Sequence, residues 1–287
     1  MSQRPNEPAP IDLCATVIAL TPRAPATIPA NQGAASHAFF LRLVSQADPA
    51  LAAQLHEGAQ SKPFTCSNLW PAAGATGDRR GGRLAVRPGE TWQLRYTTLN
   101  AELTQLWLDR ALTALPETVT LGDAIFHIQS AHTSNREHPS AGRASYADLA
   151  APYLLGSDSP PTRWRFAFRA PTAFRSGGMT VPIPLPDLLF GSLLDRWNAW
   201  SPVALNPETR RFAGECIAIS RYHLHSESLL GKGRRVQRGA VGRCTYAALN
   251  RDRYWCSAIS TLAAFAFYGG AGYQTTQGMG VCRWLDG

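Results

Sequence analysis

The sequence predicts an α+β protein in which one order of elements, β-α-β-β-α-β, occurs twice. Hydrophobic residues make up 45% of the 287 residues and charged residues 17%, a composition that can build packed cores and excludes a disordered chain. Apolar residues alternate in some segments and recur at three- and four-residue steps in others, in the same order before and after residues 156–161. That stretch, Gly156-Ser-Asp-Ser-Pro-Pro161, is polar and stiff, and we expect it to link the two units.

The first unit is expected to cover residues 1–155. Its predicted elements are a strand at 12–20, a helix at 36–55, strands at 63–70 and 91–98, a helix at 101–115 and a strand at 124–132. The first helix should break at Asp48-Pro49, because proline has no amide hydrogen to donate. Trp92, Leu94 and Tyr96 alternate with polar residues, which is typical of a half-buried strand. The second helix carries its apolar residues on one face.

The second unit is expected to cover residues 162–287. Its predicted elements are a strand at 163–169, a helix from 186, strands at 216–226 and 235–247, a helix at 252–268 and a strand at 281–285. Pro186 suits the first turn of a helix, and Gly269-Gly270 should end the next one. Two tandem ferredoxin-like, RRM-like domains are therefore the predicted fold.

The net charge of +8 lies entirely in the second half. Residues 1–155 hold twelve basic and twelve acidic residues, whereas residues 156–287 hold sixteen basic and eight acidic ones. This asymmetry indicates a surface for a polyanion in the second half. Arginine greatly outnumbers lysine, which a GC-rich genome would also explain, but such a bias does not explain the uneven net charge.

The six cysteines have no paired spacing, which predicts a reduced intracellular protein without a structural zinc site. The apolar run at 11–20 is interrupted by Asp12 and is too short for a signal peptide or a membrane span. We therefore expect a soluble, cytoplasmic protein that does not contact a membrane.

Residues 269–280 form a glycine-rich segment between the last helix and the last strand. It lacks the Gly-Lys-Ser/Thr of a Walker A loop, and its helix-then-strand order is the reverse of a dinucleotide-binding fingerprint. Two interpretations stay open. The backbone N–H groups of this segment could approach a phosphate chain, or the glycines could serve a helix end and a strand entry that need positive φ angles.

Several segments resemble the CRISPR-associated endoribonucleases that process precursor crRNA at repeats. The segments are Gly270-Ala-Gly272-Tyr-Gln-Thr-Thr-Gln-Gly278-Met-Gly280, Pro171-Thr-Ala-Phe174-Arg175, Pro184 to Trp197, Leu55-His56 and Lys62-Pro-Phe-Thr-Cys-Ser67. They occur in both halves and in the family's order. The resemblance implies two ferredoxin-like domains, which agrees with the pattern of elements. It also implies CRISPR repeat RNA as partner, other Cas proteins of an effector complex as further partners, and no cofactor or metal.

RNA cleavage without a metal needs a base for the 2′-OH, an acid for the leaving 5′-oxygen and a cation for the phosphorane. His56 stands six residues before Lys62, so a helix end and a strand start could bring imidazole and ammonium together. The family's catalytic histidine lies at the corresponding place, which implies proton transfer by His56 and charge stabilisation by Lys62. His37 is the second candidate, because some members also use residues of that helix. The candidates for the second proton-transfer partner are Ser36, Ser45 and a water molecule.

A competing site is His223-Leu-His225-Ser-Glu227, whose three polar side chains would project from one face of a strand. Two histidines and a carboxylate can bind a metal, but a solvated or RNA-facing strand shows the same alternation. We expect no metal there.

The candidate RNA-binding residues lie in the second half. They are Arg175, Arg234, Arg235, Arg238, Arg243, Gly270, Gly272, Gly278, Gly280 and Arg283. No RNP1 motif is present, so recognition of the shape and backbone of an RNA hairpin is expected. The predicted function is a metal-independent endoribonuclease that leaves a 2′,3′-cyclic phosphate and a 5′-hydroxyl. The alternative is a non-catalytic repeat-RNA-binding subunit of a CRISPR effector complex.

Overall fold

The structure, a computed structural model, describes residues 11–57, 61–72, 79–230 and 236–285. The elements of the first half are β1 Leu13–Pro22, β2 Ala26–Pro29, α1 Gly33–Ala47, α2 Pro49–Glu57, β3 Phe64–Cys66, β4 Trp70–Pro71, β5 Arg79–Arg80, β6 Arg83–Val86, β7 Trp92–Thr98, α3 Ala101–Leu106, β8 Thr118–Leu121, β9 Ala124–His132, β10 Gly142–Ala144 and α4 Tyr146–Leu154. One π-helical turn, Trp107–Ala111, extends α3.

The second half follows an irregular linker. Its elements are β11 Arg163–Thr172, β12 Phe174–Ser176, β13 Met179–Val181, α5 Pro186–Trp200, α6 Thr209–Cys216, β14 Ile217–Leu230, β15 Val236–Ala248, α7 Arg253–Gly269 and β16 Cys282–Trp284. Among the described residues, no helix is long and apolar enough to cross a membrane.

Each half contains one main antiparallel sheet of the same topology. The strand orders are β3-β7-β1-β9-β8 in the first half and β14-β15-β11-β16 in the second. In both sheets the four strands of the predicted unit lie in the order second, third, first, fourth, with two helices supplied by the crossovers. This is the ferredoxin-like arrangement. The predicted fold class is confirmed.

Local sequence explains the break between α1 and α2. Pro49 cannot donate to a carbonyl of α1, and the Asp48 carboxylate accepts hydrogen bonds from the backbone N–H groups of Ala50 and Leu51 at 2.9 and 3.0 Å. The same residue pair therefore ends one helix and caps the next. This places the C-terminal end of α2 beside the loop that leads into β3.

Several elements were not predicted, including the small sheet β2-β6-β5, the hairpin β12–β13, and α6. Helix α4 had a readable signal, because Ser145 and Asp148 form a capping box at its start. Its Tyr146 is fully buried and packs edge-on against Trp197 of α5, with ring centroids 4.9 Å apart. The helix that precedes the linker thus shares the core of the second half.

Two residues of β7 hold the C-terminal end of α7 against the sheet of the first half. Arg95 is only 4% exposed, and its guanidinium donates to the carbonyl oxygens of Ser140 at 2.8 Å and Phe267 at 2.6 Å. The guanidinium also lies 4.6 Å from the centre of the Phe267 ring. Thr97 donates its hydroxyl to the carbonyl of Tyr268 at 2.8 Å. Burial lowers the pKa of Arg95 to about 10, so the group stays charged at neutral pH.

Replacing Arg95 should destabilise the whole chain. Arg95→Met removes a buried cation and leaves the carbonyl groups of Ser140 and Phe267 without this donor, so we expect unfolding in urea to show a loss of about 2–4 kcal/mol.

The matched control is Arg110→Met, because Arg110 is exposed on the helical side of the first half. This change should stay within about 0.5 kcal/mol of wild type. Equal stability of the two variants would contradict the role assigned to Arg95.

Candidate active site and basic surface

Three cationic or titratable side chains lie near the junction of α1, α2 and β3, close enough for their charges to interact. His56 is exposed in the last turn of α2, and Lys62 lies just before β3. The Lys62 ammonium donates to the backbone carbonyls of Leu55 at 2.6 Å and His56 at 3.3 Å, which places a positive charge at the C-terminal end of a helix. The helix end and the strand start are therefore adjacent, as their spacing in the sequence predicts.

His37 joins this group from the second turn of α1. It is half-buried, its ring lies 5.5 Å from that of Phe64, and its Nδ1 donates to the carbonyl oxygen of Thr276 at 3.0 Å. Burial lowers the pKa of His37, the Thr276 bond opposes this, and the nearby charges of His56 and Lys62 lower the pKa further. The ring is therefore neutral at pH 7, with its proton on Nδ1 and a lone pair on Nε2.

Ser36 does not face this site. It is fully buried, its hydroxyl donates to the Tyr96 hydroxyl at 3.2 Å, and that hydroxyl donates to the Ser36 carbonyl at 3.3 Å. Both residues belong to the core under α1. Ser36 is therefore dropped as a candidate for proton transfer, contrary to the expectation from the sequence. Ser45 is exposed near the far end of α1.

The four glycines chosen as RNA-binding residues use their backbone N–H groups inside the protein. The bonds run from Gly270 to the Ala266 carbonyl, from Gly272 to the Ser192 hydroxyl, from Gly278 to the Cys66 carbonyl and from Gly280 to the Pro171 carbonyl, at 3.0–3.1 Å. All four residues have positive φ angles. These N–H groups are thus already bonded within the protein, and the positive φ angles fit the interpretation in which the glycines serve a helix end and a strand entry.

The glycine-rich loop, residues 270–280, instead docks on the first half. Cys66 donates its N–H to the Thr275 carbonyl and accepts from Gly278, both at 3.0 Å. On the other side, a Cβ added to Gly33 would lie 2.0 Å from the carbonyl oxygen of Gln277, so only glycine permits this approach of the loop to α1. The loop reaches His37 between these two contacts.

The predicted RNA-binding arginines occupy several places. Arg175 lies over the Tyr273 ring of the glycine-rich loop, 4.9 Å from its centre, and Arg238 is exposed on β15. Arg243 is exposed on β15 opposite His223, and Arg283 on β16 is half-buried. Arg234 and Arg235 lie outside the described residues.

The structure assembles a larger cationic surface than the sequence indicated. On β11, Arg165 pairs with Thr245, which pairs with Arg221 of β14, so all three side chains share one face of the sheet. Ala167, two residues further along β11, pairs with Arg243 of β15 and with Arg283 of β16. These two predicted RNA-binding residues therefore lie on the same face. We call this surface the basic sheet face, and its arginines are Arg163, Arg165, Arg169, Arg221, Arg243 and Arg283.

Four of these arginines were missed by sequence reasoning, although a signal was present. In β11, Arg163, Arg165 and Arg169 alternate with the buried Trp164 and other aromatic residues, and this period of two places them on the open face. The charges are close enough to interact. Burial lowers the pKa of Arg169, and the charge of Arg283 lowers it further.

The histidine pair on β14 has other partners. His225 contacts the Glu227 carboxylate at 3.2 Å, and His223 lies opposite Arg243 in the register of the sheet. Within the ranges that the structure describes, no group of three histidine, cysteine or acidic side chains could hold a metal ion.

Comparisons with known proteins cover nearly the whole chain. Residues 14–151 match the model of the CRISPR Cas6 N-terminal domain, and residues 166–282 match the model of the CRISPR-associated endoribonuclease Cas6. A curated relative, the CRISPR-associated endoribonuclease Cas6 of Mycobacterium tuberculosis, is 31% identical over 127 residues, which are 43% of this chain and 40% of the relative. The match thus spans less than half of that protein.

Solved structures resemble the chain over nearly all of its length. A product complex of a Thermus thermophilus Cas6 is 31% identical, has a TM-score of 0.76 and covers 95% of this chain and 100% of its own. A Cas6-related protein of Pyrococcus furiosus, at 14% identity and a TM-score of 0.62, shares the fold and covers 96% of this chain and 99% of its own. Both halves, in this order and with these glycine-rich and histidine-bearing segments, place the chain in the Cas6 family of CRISPR-associated endoribonucleases.

Proposed function

We propose that this chain cleaves precursor crRNA within CRISPR repeats, without a metal, and leaves a 2′,3′-cyclic phosphate and a 5′-hydroxyl. The observation that carries the proposal is the position of a neutral, oriented His37 beside His56 and Lys62. These three groups supply a base, an acid and a cation, which are the requirements of the reaction. Similarity to Cas6 endoribonucleases, one of them solved as a product complex, supports RNA cleavage and an RNA partner.

In this proposal, the two histidines share the proton transfers. Nε2 of His37 takes the proton of the 2′-hydroxyl as the 2′-oxygen attacks phosphorus, and His56 donates a proton to the 5′-oxygen as its bond to phosphorus breaks. The charge of Lys62 stabilises the phosphorane between these events. From the sequence alone, His56 is the first candidate for proton transfer and His37 the second. The hydrogen bond of His37 to Thr276 now favours His37 as the base.

Binding is assigned to the basic sheet face together with Arg175 and Arg238. Arginines on four adjacent strands can neutralise consecutive phosphates of an RNA backbone without reading base edges. The helices of the second half cover the other side of this sheet, so the positive charge is concentrated on one surface. The RNA is thus held through its backbone and its shape.

Removal of either histidine should slow cleavage strongly. We expect His37→Ala and His56→Ala each to lower the single-turnover rate about 10²- to 10⁴-fold, because each removes a proton-transfer group. The measurement uses labelled repeat RNA in excess EDTA. Affinity for RNA with a 2′-deoxy substitution at the cut site should change little.

The same assay tests the alternatives. Cleavage by wild type that requires a divalent cation would contradict the metal-independent mechanism. No cleavage under any condition would favour the non-catalytic RNA-binding subunit. Full activity of both histidine variants would overturn the assigned residues.

The rate should depend on pH through His37. Because burial lowers the pKa of this base, it stays neutral below the ordinary imidazole value of about 6.5 and loses its lone pair only at lower pH. The single-turnover rate should therefore fall on acidification with a midpoint below pH 6.5. An acidic midpoint above 6.5 would rule out a base with the surroundings of His37.

Binding should be salt-dependent through the basic sheet face. The double variant Arg165→Ala/Arg243→Ala should reduce the slope of log affinity against log salt by about 1.4 to 1.8, which corresponds to two phosphate contacts. Arg211→Ala, in helix α6 on the opposite side of the sheet, is the matched control and should keep the wild-type slope. Identical slopes for all three proteins would show that RNA binds elsewhere.

A further inference from the structure

The hydrogen-bond partner of His37 comes from the other half of the molecule. Thr276 lies 239 residues further along the chain, in the glycine-rich loop, and offers a backbone carbonyl oxygen 3.0 Å from Nδ1. A carbonyl oxygen accepts hydrogen bonds and cannot donate them, so this contact is compatible only with a proton on Nδ1. In a neutral ring the other nitrogen then carries the lone pair.

We propose that the glycine-rich loop fixes the tautomer of His37, so that Nε2 is the base and the active site is complete only when this loop is docked. The inference rests on the proposed function for the role of His37, and it assigns a positioning task to three residues outside the reacting groups: Gly33, Arg196 and Thr276.

Arg196 of α5 holds the start of the loop. Its guanidinium donates to the carbonyl oxygens of Gly269 at 2.5 Å, Gly270 at 3.1 Å and Gly272 at 3.3 Å. Burial lowers the pKa of Arg196 to about 10, so its charge is retained at neutral pH. One rigid fork thereby fixes three carbonyl groups within four residues at the point where α7 ends and the loop begins.

Gly33 and Cys66 fix the far part of the loop. The two hydrogen bonds of Cys66 hold residues 275 and 278, which flank the His37 contact on both sides. Gly33 lies four residues before His37 on the same helix, and the missing Cβ lets the Gln277 carbonyl approach within contact distance. Thr276 is thus held on both sides of the bond that it makes to the histidine.

The orientation of an imidazole by its second nitrogen is energetically significant. In Ser-His-Asp proteases, loss of the group that fixes the tautomer lowers kcat about 10⁴-fold. A neutral carbonyl interacts more weakly than a carboxylate, and at metal sites loss of the outer partner of a ligating histidine costs about 10- to 100-fold in affinity or activity. We expect an effect of that smaller size here.

Nitrogen-15 NMR of the full-length protein tests the inference directly. The two neutral tautomers give different ¹⁵N shifts and different couplings to the ring protons, and His37→Gln identifies the signals of His37. Wild type should show the Nδ1–H tautomer. The Nε2–H tautomer in wild type would overturn the inference without any variant.

Two variants loosen the loop from opposite sides. Gly33→Ala introduces a Cβ against the Gln277 carbonyl, and Arg196→Met removes the fork that holds the start of the loop. Both should populate the Nε2–H tautomer and lower the single-turnover rate about 10- to 100-fold, with little change in RNA affinity. Arg196→Lys keeps the charge and should restore part of the rate. Gly214→Ala, in α6, is the matched glycine control and should leave tautomer and rate unchanged.

The pH profile supplies a second readout. The groups that face His37 from neighbouring elements are His56 and Lys62, and neither is altered in these variants. Release of the loop exposes the ring to water, which removes the main cause of its lowered pKa. The acidic midpoint should therefore move up towards 6.5 in Gly33→Ala and Arg196→Met.

The outcomes separate this inference from the proposed function. A lower rate with an unchanged tautomer would show that the loop acts in another way and would overturn the inference. Full cleavage by His37→Ala would overturn the proposed base, and with it the catalytic part of the inference, whereas the NMR result reports on the loop contact alone. If Gly33→Ala does not fold, the wild-type spectrum and the Arg196 variants still decide the question.

Discussion

The docking of the α7 end and the loop that follows it is the constraint on which the rest of the structure depends. A helix ends there in a series of carbonyl groups that have no partner within the helix. Arg95 approaches these carbonyl groups from the first half and Arg196 from the second. Cations suit the negative end of a helix dipole, and a guanidinium can serve several acceptors in one plane. Two charges that burial would otherwise disfavour are satisfied by carbonyl oxygens rather than by carboxylates.

This arrangement connects the two ferredoxin-like units through contacts of one loop with both. The same short loop that is held by Arg196 also pairs with β3 and contacts α1. His37, a candidate catalytic residue of the first half, therefore has a hydrogen-bond partner supplied by the second half. Under the proposed function, RNA bound by the basic sheet face would also have to reach the histidine site, so the two sites are linked through this contact between the halves.

Features set by neighbours in the sequence could be predicted, whereas features set by distant contacts could not. The Asp48-Pro49 break and the alternation along β11 follow from local chemistry, and the structure has both. The role of the four glycines depended on which acceptors their N–H groups meet, and those acceptors lie on other elements. Ser36 was a candidate only because its burial against Tyr96 is invisible in a linear sequence. The basic sheet face needed the register of β14, β15 and β16 as well as the pattern of β11.

The distance along the chain between His37 and Thr276 has a consequence for the timing of biosynthesis. At a translation rate of about 5–20 residues per second, the 239 residues that follow His37 up to Thr276 take roughly ten to fifty seconds to make. During that interval the nascent first half carries its histidines without the carbonyl that orients one of them. Under the proposed mechanism, a ribosome-bound chain therefore exposes these imidazoles to cellular RNA before it can cleave, and activity begins only after the glycine-rich loop has been made and docked.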